Sequence, residues 1–189
     1  MIEWEEIENN LRKTLSGHRF QHSVGVSVTA EDLAKRFGAD PVQARLAGLL
    51  HDCARDMSNN HLLQSAETFG IVVDTVLRRV PELLHAPVGA QLVRERYKIS
   101  DPAVCQAIAR HTVGAKDMSV LDMVIYLADC IEPGRDFLGV HELRRLAAVD
   151  LWAAMVKAYD QSIIYIIQQG GLVHPATIEG RNALLLGIR

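Results

Sequence analysis

A histidine–aspartate pair, His51-Asp52, ends the apolar segment Ala44-Arg-Leu-Ala-Gly-Leu-Leu-His-Asp. Four further residues of the same two types recur along the chain in a fixed order: His22, His85, His111 and Asp129. Imidazole and carboxylate groups are the side chains that hold first-row transition metals and the metal-bound water used in hydrolysis. The ordered set therefore predicts a metal-dependent hydrolytic site.

The histidines lie on apolar helical stripes, which predicts that they point inward. His22 shares its stripe with Val26, Thr29, Ala30 and Leu33, and His111 follows Val104, Ala107 and Ile108. His51 continues a stripe of small residues, Ala44, Ala47 and Gly48, which would let another helix come close. A single inward histidine is usually a core residue that forms a hydrogen bond with a carbonyl. Three inward histidines make that explanation strained, because each buried imidazole needs a partner of its own.

Asp129 lies in the apolar segment 120–131, on the same face as Asp122 and Tyr126. An unpaired carboxylate there would cost several kcal/mol or would be forced neutral. The cation it meets is either a metal or a nearby arginine such as Arg135. We favour the metal over an Asp129–Arg135 ion pair, because the histidines need explaining as well.

The donor set His22, His51, Asp52 and Asp129 contains nitrogen and oxygen ligands without a thiolate, which suits iron, manganese, cobalt or zinc. Asp52 could bridge to a second metal held by His85 and His111, as in paired-metal phosphoryl transfer. With one metal only, His85 and His111 would contact phosphate or transfer protons.

The segments that carry these residues read as helices. Asp40-Pro41 and Asp101-Pro102 each join an N-cap carboxylate to a proline at the first helical position. Helical patterns cover 4–15, 19–37, 41–52, 59–69, 73–80, 87–97, 102–112, 119–131, 141–168 (with a break near 149) and 176–186. Short connections and the lack of persistent period-two alternation predict an all-α fold, a single compact helical bundle spanning 1–189. The stripe from Leu151 to Ile167 is interpreted as core packing.

Composition excludes several classes of function. A net charge of −3 with interspersed charges gives no basic face for nucleic acid or membrane. No apolar run approaches the ~18 residues needed to span a bilayer, and the N-terminus lacks a signal-peptide pattern. The three cysteines, Cys53, Cys105 and Cys130, form no CxxC and are typical of reduced thiols. A soluble cytoplasmic protein is expected.

The order His…His-Asp…Asp resembles the signature of the HD superfamily of metal-dependent phosphohydrolases. Longer strings are similar to the bacterial YqeK group, which hydrolyses diadenosine tetraphosphate symmetrically. They are His18-Arg-Phe-Gln-His-Ser-Val-Gly-Val, Leu49-Leu-His-Asp-Cys-Ala-Arg, Leu84-His-Ala-Pro-Val-Gly-Ala, Ala109-Arg-His-Thr, Leu127-Ala-Asp-Cys-Ile-Glu-Pro-Gly-Arg-Asp-Phe and the stretch from His174 to Asn182. The likeness covers most of the chain.

The resemblance implies an HD fold with its core at about 18–135 and C-terminal helices at about 141–189 that complete the pocket. It implies an iron-type site at His22, His51, Asp52 and Asp129, and cleavage of the dinucleoside polyphosphate into two ADP. Nucleotide contacts are then expected at His22, Asp52, His85, His111, Thr112, Asp129, Arg135 and Ile178, with Asn182 a weaker candidate. The product would be ADP or a GDP-like nucleotide.

Individual roles follow from position. The expected catalytic residues are Asp52, His85, His111 and Arg135. Arg135 is included because the turn Glu132-Pro-Gly-Arg135 can fold it back over the site. His18 could orient a ligand, touch phosphate or cap its helix. Arg19 and Arg55 are weaker candidates, because arginines just outside a helix end are usually solvated. His61, His141 and His174 are assigned surface or packing roles.

Three other interpretations stay open. An HD hydrolase could act on another nucleotide, because specificity lies in the pocket walls. A nucleotide-sensing module could keep the fold without turnover, although no ligand is missing. A helical scaffold with satisfied core histidines could bind another protein. The 141–168 segment could pair two chains into a homodimer, although core burial explains the same residues.

Overall fold

The computed structural model describes residues 4–187. Within that range the chain forms eleven α-helices, one 3₁₀-helix and no strand. The helices are α1 (Trp4–Thr14), α2 (Gly17–Phe37), α3 (Pro41–Leu50), α4 (Asn59–Thr68), α5 (Thr75–Arg79), α6 (His85–Arg96), α7 (Pro102–Arg110), α8 (Val120–Ile131), α9 (Val140–Ala147), α10 (Leu151–Gln168) and α11 (Pro175–Leu185), with the 3₁₀ turn at Pro81–Leu84. The all-α prediction is confirmed.

Helix starts follow from the capping residues in the sequence. The Asp40 carboxylate accepts hydrogen bonds from the amides of Val42 and Gln43, and Asp101 does the same for Ala103 and Val104. Each aspartate thereby satisfies amides that have no partner within the helix. The expected break near 149 is also present, because Asp150 caps α10 after α9 has ended.

Helix α8 is the centre of the core. It packs against α2, α3, α7, α9 and α10, and its residues from Leu121 to Ala128 are all buried. Helices α2 and α3 approach closely where Gly48 faces Ser27, since a Cβ on Gly48 would lie 2.9 Å from the Ser27 Cα. The small residues before His51 do let another helix come close, as the sequence predicts. A second, smaller core joins α4, the 3₁₀ turn and α6.

Two expectations need correction. The Leu151–Ile167 stripe is core only in its first part: Leu151, Met155 and Tyr159 are buried, whereas Ile167 is 62% exposed. Ile164 and Tyr165 are also exposed, so the last turns of α10 face solvent. Helix α6 begins at His85 rather than 87, because the 3₁₀ turn that Pro81 opens continues directly into it.

No helix among residues 4–187 is long and apolar enough to cross a membrane.

Candidate metal and nucleotide site

Three histidines end helical turns, and their ring Nδ1 atoms are held by nearby carbonyls. His51 Nδ1 lies 2.7 Å from the Gly48 oxygen, and His111 Nδ1 lies 2.7 Å from the Ile108 oxygen. His85 Nδ1 is paired in the same way with the Glu82 carbonyl. The Gly48 and Ile108 carbonyls lie in the last turn of their helices, where no amide of the same helix follows, so they are free to accept an imidazole N–H. The Glu82 carbonyl accepts the His85 backbone amide as well. Because a carbonyl can only accept, Nδ1 carries the proton and Nε2 faces the interior as the donor atom.

His22 has the same ring orientation through a different partner. It lies inside α2, where each carbonyl already accepts the amide four residues further on. Its Nδ1 instead contacts Glu132 Oε1 at 3.1 Å, from the turn that follows α8. The Nε2 atoms of all four imidazoles therefore point towards the same region of the interior. All four side chains are buried.

Asp52 lies between the histidines and contacts a different group with each oxygen. Its Oδ1 is 3.2 Å from His85 Nε2 and 3.7 Å from His111 Nε2. Its Oδ2 is 3.7 Å from His51 Nε2 and 4.0 Å from His22 Nε2. The carboxylate thus spans the two halves of the cluster, as a bridging role requires.

Asp129 completes the cluster from α8. Its Oδ1 lies 3.0 Å from His22 Nε2 and 3.8 Å from His51 Nε2. Donor atoms within 4.8 Å of one another form two triads that could hold a metal, His22–His51–Asp129 and His51–Asp52–His111. The structure brings together every residue expected to bind metal, but it distributes them over two triads that share His51.

The pKa values of the four histidines shift in two directions. Burial lowers the pKa of His51 to about 4, despite the attraction of Asp52 and Asp129, and burial also lowers the pKa of His85. Burial acts in the same direction on His22 and His111, but the carboxylates of Asp129 and Asp52 outweigh it and raise the pKa of both. His51 and His85 are therefore neutral at pH 7, which is the form that coordinates a metal.

Both carboxylates stay ionised. Burial alone would raise the pKa of Asp52, but His51, His111 and His85 lower it below its usual range. Burial likewise opposes ionisation of Asp129, and His22, His51 and Arg135 reverse the effect, so its pKa is lowered. The buried site thus holds two negative charges that a cation would stabilise.

Arg135 folds back over the site, as expected from its turn. Its Nη2 donates to Asp129 Oδ1 and lies 3.3 Å from His22 Nε2, and its Nε donates to the Asp129 carbonyl at 2.7 Å. The ion pair that the sequence offered as an alternative to a metal is thus present. It does not account for the histidines, whose Nε2 atoms still converge beside it.

Thr112 joins the polar cluster, and Ile178 lies apart from these contacts. The Thr112 Oγ1 is 3.2 Å from His111 Nε2 and 3.4 Å from His85 Nε2, and these two nitrogens are 3.1 Å apart. Ile178 lies on α11 and is 39% exposed. Its role in the nucleotide pocket stays a prediction.

Of the residues that contact the cluster, the sequence analysis missed Glu132 and ranked Arg19 low. Glu132 is buried against His22, although a glutamate just after a helix end is usually solvated. Arg19 was ranked as a weak candidate, yet its Nη1 lies 3.3 Å from Asp52 Oδ2. The available signal was spacing: Arg19 precedes His22 by three residues, so both share one helix face.

The other histidines lie away from the cluster. His18, His61 and His141 are exposed. His174 caps α11 by accepting from the Ala176 amide, and its Nε2 lies 2.9 Å from Asp74 Oδ2. His61 and His141 thus lie on the surface and His174 at the start of α11, which agrees with the surface or packing roles predicted for them.

A bundle of helices enclosing a histidine–aspartate cluster defines a hydrolase of the HD class. The family model described as HD domain matches residues 19–134, and the chain belongs to this family. Membership implies dependence on a divalent metal, for which the cluster supplies donors.

Relatives that match nearly the full length of the chain also carry the names of hydrolases. The chain is 41% identical to a protein of Halalkalibacterium halodurans (strain C-125), and the alignment covers 91% of each protein. It is 38% identical to a protein of Bacillus subtilis (strain 168), and that alignment covers 97% of this chain and 98% of the relative. Both are named bis(5'-nucleosyl)-tetraphosphatase, symmetrical. A crystal structure from Clostridium acetobutylicum, described as a predicted HD superfamily hydrolase involved in NAD metabolism, superposes with a TM-score of 0.96 at 38% identity, covering 99% of each chain.

Proposed function

We propose that this protein hydrolyses diadenosine tetraphosphate symmetrically, adding one water and releasing two ADP. Support comes from the relatives of that name and from the HD cluster. The observation that carries the metal-dependent part of the proposal is His51 Nε2, which is fully buried and has no hydrogen-bond partner among the described residues. A buried polar atom without a partner is costly unless a ligand satisfies it.

The donor set fits a transition metal, with iron our first choice and manganese, cobalt or zinc as alternatives. His22, His51, Asp52 and Asp129 would hold it, and Asp52 with His111 and His85 offers a second position. Neutral imidazole and carboxylate donors of this kind suit these ions. When bound, such a metal supplies Lewis-acid chemistry and lowers the pKa of water.

The protein's own groups then orient the polyphosphate and handle protons. Hydrolysis forms a bond from water oxygen to an inner phosphorus and breaks the bond from that phosphorus to the bridging oxygen of the departing ADP. His85 and His111 lie together beside Asp52, and Thr112 adds a hydroxyl, so these groups can transfer a proton or contact phosphate. Arg135 and Arg19, both partly exposed, can offset the negative charge on the phosphoryl oxygens.

The nucleoside ends would lie further out, where Ile178 on α11 would line the pocket with the C-terminal helices. Of the residues predicted to contact the nucleotide, His85, His111, Thr112 and Arg135 could donate hydrogen bonds to phosphate oxygens, whereas His22, Asp52 and Asp129 would hold the metal beside the phosphates. One domain over 1–189 and a homodimer stay predictions. A cytoplasmic location also stays a prediction, consistent with Cys53, Cys105 and Cys130, which are all unpaired.

His51→Ala, or Asp52→Ala in parallel, tests the proposal. We expect metal content and turnover of diadenosine tetraphosphate to be lost while the circular dichroism spectrum stays helical. His61→Ala, which changes an exposed histidine on α4, is the matched control and should behave as wild type.

Product identity separates this substrate from others. Two ADP per tetraphosphate is the expected result. Orthophosphate released from a mononucleotide, without ADP from the tetraphosphate, would instead assign the site to another HD reaction. Full turnover by the His51→Ala protein in metal-free buffer would refute the metal site itself.

A further inference from the structure

Glu132 is the only carboxylate among the described residues that holds the Nδ1 atom of a cluster histidine. His51, His85 and His111 use the carbonyl three residues earlier, an acceptor fixed by the end of their own helical turn. His22 lies within α2 and depends instead on a side chain that is 110 positions away in the sequence. Its orientation is therefore the least protected by local structure.

The Glu132 carboxylate is itself held in place. Its Oε1 accepts from His22 Nδ1, and its Oε2 accepts from the Gly134 amide at 2.6 Å. The side chain is buried, and besides the imidazole the Arg135 guanidinium lies close enough to interact with it electrostatically. Each oxygen of the carboxylate thus accepts one hydrogen bond.

Glycines make room for this carboxylate. A Cβ on Gly25, one turn after His22 on α2, would lie 2.7 Å from Glu132 Oε2. A Cβ on Gly134 would lie 2.9 Å from Oε1. The space around the carboxylate would be filled by any larger residue at either position.

The turn that carries Glu132 is anchored from outside the cluster. Arg144 on α9 donates from Nε to the Ile131 carbonyl at 2.8 Å, and from Nη2 to the carbonyls of Glu132 and Arg135 at 2.7 and 2.8 Å. The same turn brings Arg135 to the other nitrogen of His22. One four-residue segment therefore contacts both ring nitrogens of a single predicted ligand.

We propose that Glu132 is a positioning residue that fixes the His22 ring with Nε2 as its donor atom and thereby sets the affinity of the site for metal. The proposal rests on the metal-dependent function proposed above. A carboxylate that accepts from the distal N–H of a coordinating histidine fixes the tautomer and makes the imidazole a stronger donor.

Glu132→Gln tests the role of the carboxylate while preserving its size. The two donors lie against different oxygens of the carboxylate. In glutamine one of these positions is taken by an NH₂ group, which cannot accept a hydrogen bond. We expect the affinity for Co²⁺, titrated by visible absorption against a competing chelator, to fall by about 10- to 100-fold. Glu67→Gln, on the exposed face of α4, is the matched control.

Gly25→Ala tests position without removing charge, and it remains informative if the Glu132 variant does not fold. The new methyl group would displace the carboxylate from His22, so the same loss of Co²⁺ affinity is expected. Gly17→Ala is its control, because this glycine lies on the same helix with nothing within 4 Å of a Cβ. Circular dichroism would verify that the helices persist in each protein.

A proton signal distinguishes positioning from general loosening. In water, the Co²⁺-loaded wild type should show a paramagnetically shifted, exchangeable proton for the Nδ1–H of His22, and Glu132→Gln should lose it. Unchanged Co²⁺ affinity in both variants would overturn the role of Glu132 and leave the proposed function standing. A wild-type protein that binds no Co²⁺ would overturn both.

Discussion

Arg19 Nη1 lies 3.3 Å from Asp52 Oδ2, so the most central carboxylate of the cluster is paired with an arginine from the first turn of α2. The Arg19 side chain is 29% exposed, whereas that of Asp52 is 5% exposed. The guanidinium therefore lies at the boundary between the buried cluster and solvent. A planar guanidinium in this position suits the recognition of phosphate oxygens.

Arg19→Ala should lower kcat/KM for diadenosine tetraphosphate by about 10-fold, corresponding to ~1.4 kcal/mol of lost transition-state stabilisation. The metal content should not change, because a guanidinium is not a metal donor. Steady-state kinetics with elemental analysis measures both. Arg145→Ala, an exposed arginine on α9, serves as the control. An unchanged kcat/KM would remove Arg19 from the reaction.

Sequence patterns predicted the elements that carry the site, because caps and apolar stripes are local signals. Asp40 and Asp101 could be read as helix starts, and His51 and His111 as inward residues near helix ends. These features need only a few neighbouring residues to be recognised. The convergence of His22, His51 and Asp129 was inferred from chemistry, since each buried group requires a partner.

The residues that the sequence analysis missed or ranked low are those whose partners lie far away along the chain. Glu132 meets His22 across 110 positions, and Arg19 meets Asp52 across 33. A charged residue near a helix end is usually solvated, so only the packing of α2 against α3 and α8 shows that these two are not. The prediction for Ile167 was wrong for a different reason: the apolar stripe continues along α10, but the last turns of this helix are exposed to solvent.

A second prediction concerns Gly114, in the loop between α7 and α8 that also carries Thr112. Its φ is +74°, and a Cβ there would lie 1.9 Å from the Tyr159 hydroxyl oxygen. The loop is joined to α11 by a 2.9 Å hydrogen bond from Thr177 Oγ1 to the Val113 carbonyl. Gly114→Ala should therefore reduce the free energy of unfolding by about 2–4 kcal/mol, through backbone strain and overpacking together.

Urea unfolding measures this change, and two further variants divide it into its causes. Gly70→Ala has a similar φ of +65° but nothing within 4 Å of its Cβ, so it should cost only the backbone strain, about 1–2 kcal/mol. Adding Tyr159→Phe to Gly114→Ala removes the nearest atom and should recover part of the loss. Equal effects of Gly70→Ala and Gly114→Ala would refute the steric contribution.

The final prediction uses the position of Arg135, whose guanidinium donates to the Asp129 oxygen that faces His22 and His51. The arginine competes with a metal for that oxygen and is also placed to offset charge on a phosphoryl group. Arg135→Ala should therefore retain Co²⁺ affinity at the wild-type level or above it, while kcat falls by about 10²-fold.

Absorption titration and single-turnover hydrolysis measure the two effects of Arg135→Ala separately. Retained Co²⁺ affinity together with a lower kcat would show that the arginine acts on the reaction, because a variant that merely loosened the turn at Glu132–Arg135 would weaken metal binding as well as turnover. Arg145→Ala again provides the matched loss of one arginine on an exposed surface. Parallel loss of Co²⁺ affinity and kcat would make Arg135 a structural support of Asp129, and an unchanged kcat would place its charge outside the reaction.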